Sequence, residues 1–252
     1  LHSGGKFEGT AYKVSGGLPG VGASCVNALS ILCQVEVRRD KKIYSMEFSR
    51  GKVKSPLTTI TKTQIPLLEK FIPSSVSGTT VTFYPDPEIF KEGSELDTKT
   101  IIRSLKDRAY LTSKIFFHFF DQRSGGEHHY YFEGGILSLL SEINKGKTTL
   151  HSPIYIHRAD SGIDTEVAIQ YNDSFQENTP SFVNIINTRE GGSHLSGFKT
   201  ALTKSIKDYA ERKEMIKNKD DAITGDDVRE GLTAILSIVN FSHLSSFIAR
   251  QP

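Results

Sequence analysis

Seven of the chain's 21 glycines fall within its first 22 residues, at Gly4, Gly5, Gly9, Gly16, Gly17, Gly20 and Gly22. Glycine adopts positive φ without a steric cost and lets another group approach the backbone closely, so this segment reads as a loop with a special conformation. Directly after Gly22 the text becomes Ala23-Ser24-Cys25-Val26-Asn27-Ala28-Leu29, a short helix. A glycine loop that runs into a helix start presents unpaired N–H groups and a partial positive charge, which together make a cradle for phosphate. The spacing is not that of a Walker A loop, because Ala23-Ser24 follow the last glycine and no lysine does; nor does a strand precede it, as a dinucleotide fingerprint requires.

The rest of the chain narrows the class. A length of 252 residues is enough for two domains. Lys and Arg number 31 against 29 Asp and Glu, so contact with DNA requires a local patch rather than the overall charge. No apolar run is long enough to span a bilayer, and a cytoplasmic protein is expected. Cys25 and Cys33 sit in apolar stretches, which predicts two buried, reduced thiols. The chain opens on Leu1 with no leader pattern.

Periodicity places the elements. Leu32–Arg38 and Ile43–Phe48 form a hairpin around Arg39-Asp40-Lys41-Lys42, residues 52–77 read as irregular, and 78–84 as a strand ending at Pro85. Asp97 caps a helix with Ile101, Ile102, Leu105 and Ala109 on its apolar side. Residues 114–120 and 128–133 flank Gly125-Gly126 as a second hairpin, followed by a helix over 135–144 and a third hairpin from 154–157 and 165–172. Residues 180–188 read as one strand. A long helix then carries Leu195, Phe198, Leu202, Ile206 and Tyr209 on one side, Thr224-x-x-Asp227 is a capping box, and 232–238 closes as a strand. If the strands at 180–188 and 232–238 pair in parallel, the connection is a right-handed crossover. A composition shift at 123–127 marks the domain break, at about 127.

Longer strings carry more than the glycines alone: Leu1-His2-Ser3-Gly4-Gly5-Lys6-Phe7, Tyr12-Lys13-Val14-Ser15-Gly16-Gly17-Leu18, Gly20-Val21-Gly22 and Val26-Asn27-Ala28-Leu29-Ser30. Further on come Gly78-Thr79, Tyr131-Phe132-Glu133-Gly134-Gly135-Ile136, the 167–173 string, Asn187 to Phe198, and Thr224 to Leu232. In this order they strongly resemble the B subunits of bacterial type IIA DNA topoisomerases, of the gyrase and topoisomerase IV kind, over residues 1 to 238. The resemblance implies an α/β (α+β) chain: a partial GHKL ATPase two-layer sandwich beginning at the ATP lid over 1–127, then a ribosomal-protein-like βαβ transducer domain over 128–252 that diverges after about 238.

The resemblance also implies roles. Gly4, Gly5 and Lys6 match the lid near the phosphates and Tyr12 the adenine-side tyrosine. Gly16, Gly17, Leu18, Pro19, Gly20, Val21, Gly22 and Ala23 match the phosphate-binding turn, Thr79 a threonine that supports adenine recognition, and Arg39 a rim position used by aminocoumarin-type inhibitors. ATP and Mg2+ are the implied cofactors. DNA, a gyrase-type A subunit and a second copy at an ATP-driven dimer gate are the implied partners. Pro19 stands where the family usually has His and removes one backbone donor. The family's general-base Glu and metal-binding Asn match positions upstream of Leu1, so no catalytic residue and no metal ligand is assigned, and little ATPase activity is expected of this stretch by itself. A non-hydrolysing interaction module is the alternative.

Other candidates are weaker on the residues. His128-His129 beside Glu127 point to opposite faces of a strand, which predicts an ordinary hairpin rather than a metal centre. His194 fits turn or helix-cap geometry. Arg189, Lys199 and Lys204 are candidates for a basic strip facing DNA phosphates.

Overall fold

A computed structural model describes residues 21–65, 71, 76–91, 95–215 and 223–240. Contacts divide the chain into two compact units, one up to Leu96 and one from Asp97 onward. This division lies ahead of the composition shift at 123–127, because the helix after Asp97 packs on elements that follow it.

In the first unit, α1 (Val21–Ala28) leads into β1 (Ser30–Arg39), β2 (Lys42–Ser49), β3 (Lys52–Ile60) and β4 (Gly78–Pro85). These strands form an antiparallel sheet in the order β3-β2-β1-β4. Two-residue turns make both hairpins: Asp40 and Lys41 at φ 52° and 59°, Arg50 and Gly51 at φ 49° and 79°. Two successive positive φ values give the turn whose twist matches that of the strands it joins. The irregular stretch expected over 52–77 is a strand up to Ile60. Pro56 is tolerated there because β3 is an edge strand and the pairing with β2 slips between Ser45 and Glu47, opposite the proline.

Asp86, only 1% exposed, anchors the end of β4. Its carboxylate accepts from Arg50 Nε at 2.6 Å, Arg50 Nη2 at 3.2 Å and the Glu88 N–H at 3.0 Å. The Arg50 hydrogen bonds come first and the Glu88 N–H second in holding this carboxyl below the usual range, against the opposing effect of burial. A depressed folded pKa gives stability that is present above the unfolded value of about 3.9 and lost as pH falls through the folded one. The urea midpoint of the first unit is therefore expected to drop between pH 5 and pH 2. Asp86→Asn lowers the midpoint at pH 7 and flattens that acid limb; an acid limb of unchanged steepness in the variant would contradict the assignment.

The second unit opens with α2 (Thr98–Leu111), β5 (Phe117–Asp121), β6 (Gly126–Tyr130) and α3 (Ile136–Ile143). Asp97 caps α2 as expected, accepting from the Lys99 and Thr100 N–H groups at 3.1 and 3.3 Å. Then follow β7 (Ile154–Asp160), β8 (Ile163–Tyr171), β9 (Ser181–Val183), β10 (Ile186–Asn187), α4 (Ser193–Arg212), α5 (Gly225–Arg229) and β11 (Leu232–Asn240). The five-stranded sheet runs β10-β9-β11-β8-β7, and β9 pairs with β11 in parallel across the α4–α5 connection. The strand expected over 180–188 is instead a tight hairpin. Asn184 and Ile185 turn at φ 49° and 63°, and the Asn184 N–H reaches back to Ile238 O at 2.8 Å.

β11 is central and covered on both faces, which is why it reads as a nearly unbroken apolar run. Ile235 packs with Ala168, Phe182 and the α3 residues Ile136 and Leu140. Leu232, Ala234 and Leu236 pack with Val167, Ile169 and the α4 residues Phe198 and Leu202. Each buried side chain of this size contributes roughly 1.5–3 kcal/mol, so the layered sheet is the stabilising centre of the unit. Tyr209, expected on the apolar side of α4, is exposed, and Ala210 takes the buried place beside it. The capping box at Thr224 and Asp227 is present. Cys33 is buried as expected, and burial raises its pKa; Cys25 is exposed, because it lies on the outer side of α1.

Candidate functional site

Of the cradle expected for phosphate, the described residues include only the start of α1. Its first turn carries no acidic side chain, and Gly22 and Ala23 are exposed, so the N–H groups keep their attraction for an anion. Nothing lies within 4 Å of where a Gly22 Cβ would stand. The helix is tied down at its other end: Ser30 Oγ donates to Val26 O at 2.5 Å and the Gly51 N–H to Asn27 O at 3.1 Å. Gly4, Gly5, Lys6, Tyr12, Gly16, Gly17, Leu18, Pro19 and Gly20 lie outside the described residues, and Val21 is described by its backbone alone.

Thr79 and Arg39 are brought together by register. Thr79 pairs with Val37, and Arg39 is two residues further along β1, so both stand on the same face of the sheet in neighbouring rows. The face also carries Val35 opposite Val81 and Cys33 opposite Phe83. Thr79 is exposed, and Val81 and Phe83 retain 54% and 42% exposure, leaving an apolar surface with a hydroxyl at its edge. Arg39 is solvated, 3.5 Å from Asp40. Beside it a cavity of about 580 Å³ is lined by Arg38, Arg39, Lys41, Lys42, Thr59 and Ser77, among others.

The opposite face of β1 is polar yet buried, and sequence reasoning missed it. Glu36 is 1% exposed; its Oε2 accepts from Thr63 Oγ1 at 2.5 Å and its Oε1 from the Gln64 N–H at 2.9 Å. Arg38, also buried, donates to Thr80 Oγ1 at 3.4 Å. The alternation of Gln34, Glu36 and Arg38 with Cys33, Val35 and Val37 gave no sign of this, because it favours the apolar side inward; the polar side is buried where Thr63 and Gln64 bond to Glu36.

In the second unit one member of the expected basic strip, Lys199, is paired with an acid. Glu177 lies 2.6 Å from Lys199 Nζ and 3.2 Å from Arg229 Nε. Burial raises the Glu177 pKa, but Lys199, Thr179 and Arg229 together hold it below the ordinary carboxylate value. His194 joins Thr188 Oγ1 at 3.0 Å, and burial lowers its pKa, in keeping with a turn-forming role. The hairpin expected around His128-His129 is present, with the two rings on opposite faces of β6. Cross-strand pairing sets His118 opposite His129, and Glu127 joins them on the same face.

Comparison with known proteins matches the family described as DNA gyrase B over residues 121–240. The chain is 45% identical over 240 residues to the DNA gyrase B subunit of Clostridium acetobutylicum, covering 94% of this chain and 36% of that protein. Similarity to the corresponding protein of Halalkalibacterium halodurans is likewise 45%, over 242 residues, 94% of this chain and 36% of that one. The chain thus spans about a third of the length of these relatives. Among solved structures it is similar to the 43K ATPase domain of Thermus thermophilus gyrase B in complex with an aminocoumarin, with TM-score 0.75 and 35% identity over 88% of this chain and 58% of that one. The topoisomerase IV ATP-binding domain of Francisella tularensis shares the fold, with TM-score 0.68 at 24% identity over 90% of this chain and 59% of that one.

Proposed function

We propose that the chain, 45% identical over 94% of its length to a DNA gyrase B subunit, belongs to that family and supplies part of an ATP site and the adjoining transducer of a type II DNA topoisomerase B subunit, working with an A subunit on DNA. The observation that carries this reading is the sheet face bearing Thr79. An exposed apolar surface edged by a hydroxyl suits a purine ring, which needs stacking area and a few placed polar partners. The acid-free start of α1 suits the nucleotide phosphates. Mg2+ enters with the phosphates, and none of the described residues is assigned to it. On this reading 1–127 belongs to the ATPase domain and 128–252 to the transducer. The layered sheet of the second unit gives that transducer a rigid body, able to pass on a nucleotide-driven closure to attached domains.

The test uses the intact B subunit assembled with its A subunit. ATP-dependent negative supercoiling of relaxed plasmid is expected, with Thr79→Ala raising KM for ATP about tenfold, the worth of one well-placed hydrogen bond. Supercoiling that needs no ATP, or a KM unmoved by Thr79→Ala, would overturn the assignment of this face. A preference for decatenation over supercoiling would instead assign the protein to the topoisomerase IV kind.

A further inference from the structure

We propose that the β5–β6 hairpin is a binding site for a divalent transition-metal ion of the zinc class, held by His118, Glu127 and His129. No part of the ATP site contributes to it. The strand register creates the cluster: His118 pairs directly with His129, and Glu127, two residues before His129 on β6, shares its face. Adjacent residues could not do this, and His128 lies on the other face, where its ring is near Phe119 and Tyr130.

The donor atoms already stand at coordination spacing. Zinc bonds of about 2.0–2.1 Å to nitrogen and oxygen place tetrahedral ligand atoms roughly 3.3 Å apart. His118 Nε2 is 2.7 Å from Glu127 Oε1, His129 Nε2 is 3.2 Å from the same oxygen, and all three donor atoms lie within 4.8 Å of one another. Small side-chain rotations are enough to open the shorter edge. The His118 and His129 rings are 4.6 Å apart and tilted 47°, so their nitrogens converge without the rings stacking flat, and Phe116 backs the His129 ring at 5.6 Å.

The chemistry of the set selects the ion. Two imidazoles and one carboxylate are borderline donors that favour Zn2+, Co2+, Ni2+ or Cu2+, whereas Mg2+ and Ca2+ require a shell of oxygens. Three protein ligands leave a position for water, and the partial exposure of Glu127 and His129 gives an entering ion access. The backbone hydrogen bonds of the hairpin hold the two strands in register before any metal arrives, so the ordering required on binding is confined to three side chains.

The test titrates the 252-residue chain, prepared without a histidine tag and with excess Mg2+ present, with zinc chloride in a calorimeter. One Zn2+ per chain is expected to bind in the micromolar range. His118→Ala, His129→Ala and Glu127→Gln should each weaken binding at least tenfold, and His128→Ala should leave it unchanged. Circular dichroism and urea midpoints establish that the variants fold. Co2+ provides a second readout: the intense visible bands of a low-coordinate site should appear in the parent chain and vanish in the His118→Ala, His129→Ala double variant. Equal Zn2+ affinity in the parent and the folded double variant would overturn the proposal, as would displacement of Zn2+ by millimolar Mg2+.

Discussion

Gly231→Ala is expected to destabilise the second unit by about 3 kcal/mol or more, beyond the range of most single substitutions, and to lower its melting temperature by roughly 10 °C. Gly231 stands at φ +68°, between α5 and the first residue of β11. A Cβ there would come within 2.4 Å of Asn172 O and 2.8 Å of Ser174 O, both backbone atoms that cannot swing away. The Gly231 carbonyl also accepts from the Asn172 N–H at 2.9 Å, so relieving the clash breaks the start of the β11–β8 ladder. Gly146→Ala is the matched control. Gly146 has φ +81° with nothing within 4 Å of its missing Cβ, so it bears only the left-handed backbone penalty of about 1–2 kcal/mol. Urea denaturation of both variants separates backbone strain from steric overlap. Equal losses would show that the close approach at Gly231 contributes nothing.

The second large effect is expected at Asn144, where Asn144→Leu should cost about 3–4 kcal/mol although Leu keeps the same branched side-chain shape. Asn144 Nδ2 donates to Gln170 Oε1 at 2.8 Å, and its Oδ1 accepts from Thr233 Oγ1 at 2.7 Å and Asn172 Nδ2 at 3.3 Å. All four residues are buried beneath the end of α3. Removing the shared centre leaves a carbonyl oxygen, a hydroxyl and an amide short of partners in a place water does not reach, which is more damaging than losing the bonds themselves. The triple variant Asn144→Leu, Gln170→Leu, Thr233→Val removes most of those stranded groups together. It should recover at least half of the loss in urea midpoint. A triple variant less stable than the single one would show that the network acts through packing rather than polar satisfaction.

Much of the architecture was legible because local rules and tertiary packing agree. Asp97 and the Thr224–Asp227 box signal helix starts through side-chain oxygens that satisfy backbone donors, and both do so. The run from Leu232 reads as a buried strand because both of its faces meet helices. The hairpin at Asn184 and Ile185 was illegible for the opposite reason. A β-branched residue at φ 63° contradicts local preference, and the turn is held by its hydrogen bond to β11 and by pairing with β9. Pro56 likewise argued against a strand until its edge position and the slipped pairing were visible.

The candidate site divides in the same way. Residue identity and spacing along one chain were enough for the helix that runs on from Gly22, the order of the family strings and the parallel crossover between 180 and 238. Folding in three dimensions was needed to set which face of β1 is inward, that Thr79 and Arg39 share a surface, and that His118 meets His129 across a hairpin. Strand register fixes these, and register is set by which residues far apart in the chain come to lie opposite one another. A shift of one residue would carry each of those side chains to the other face.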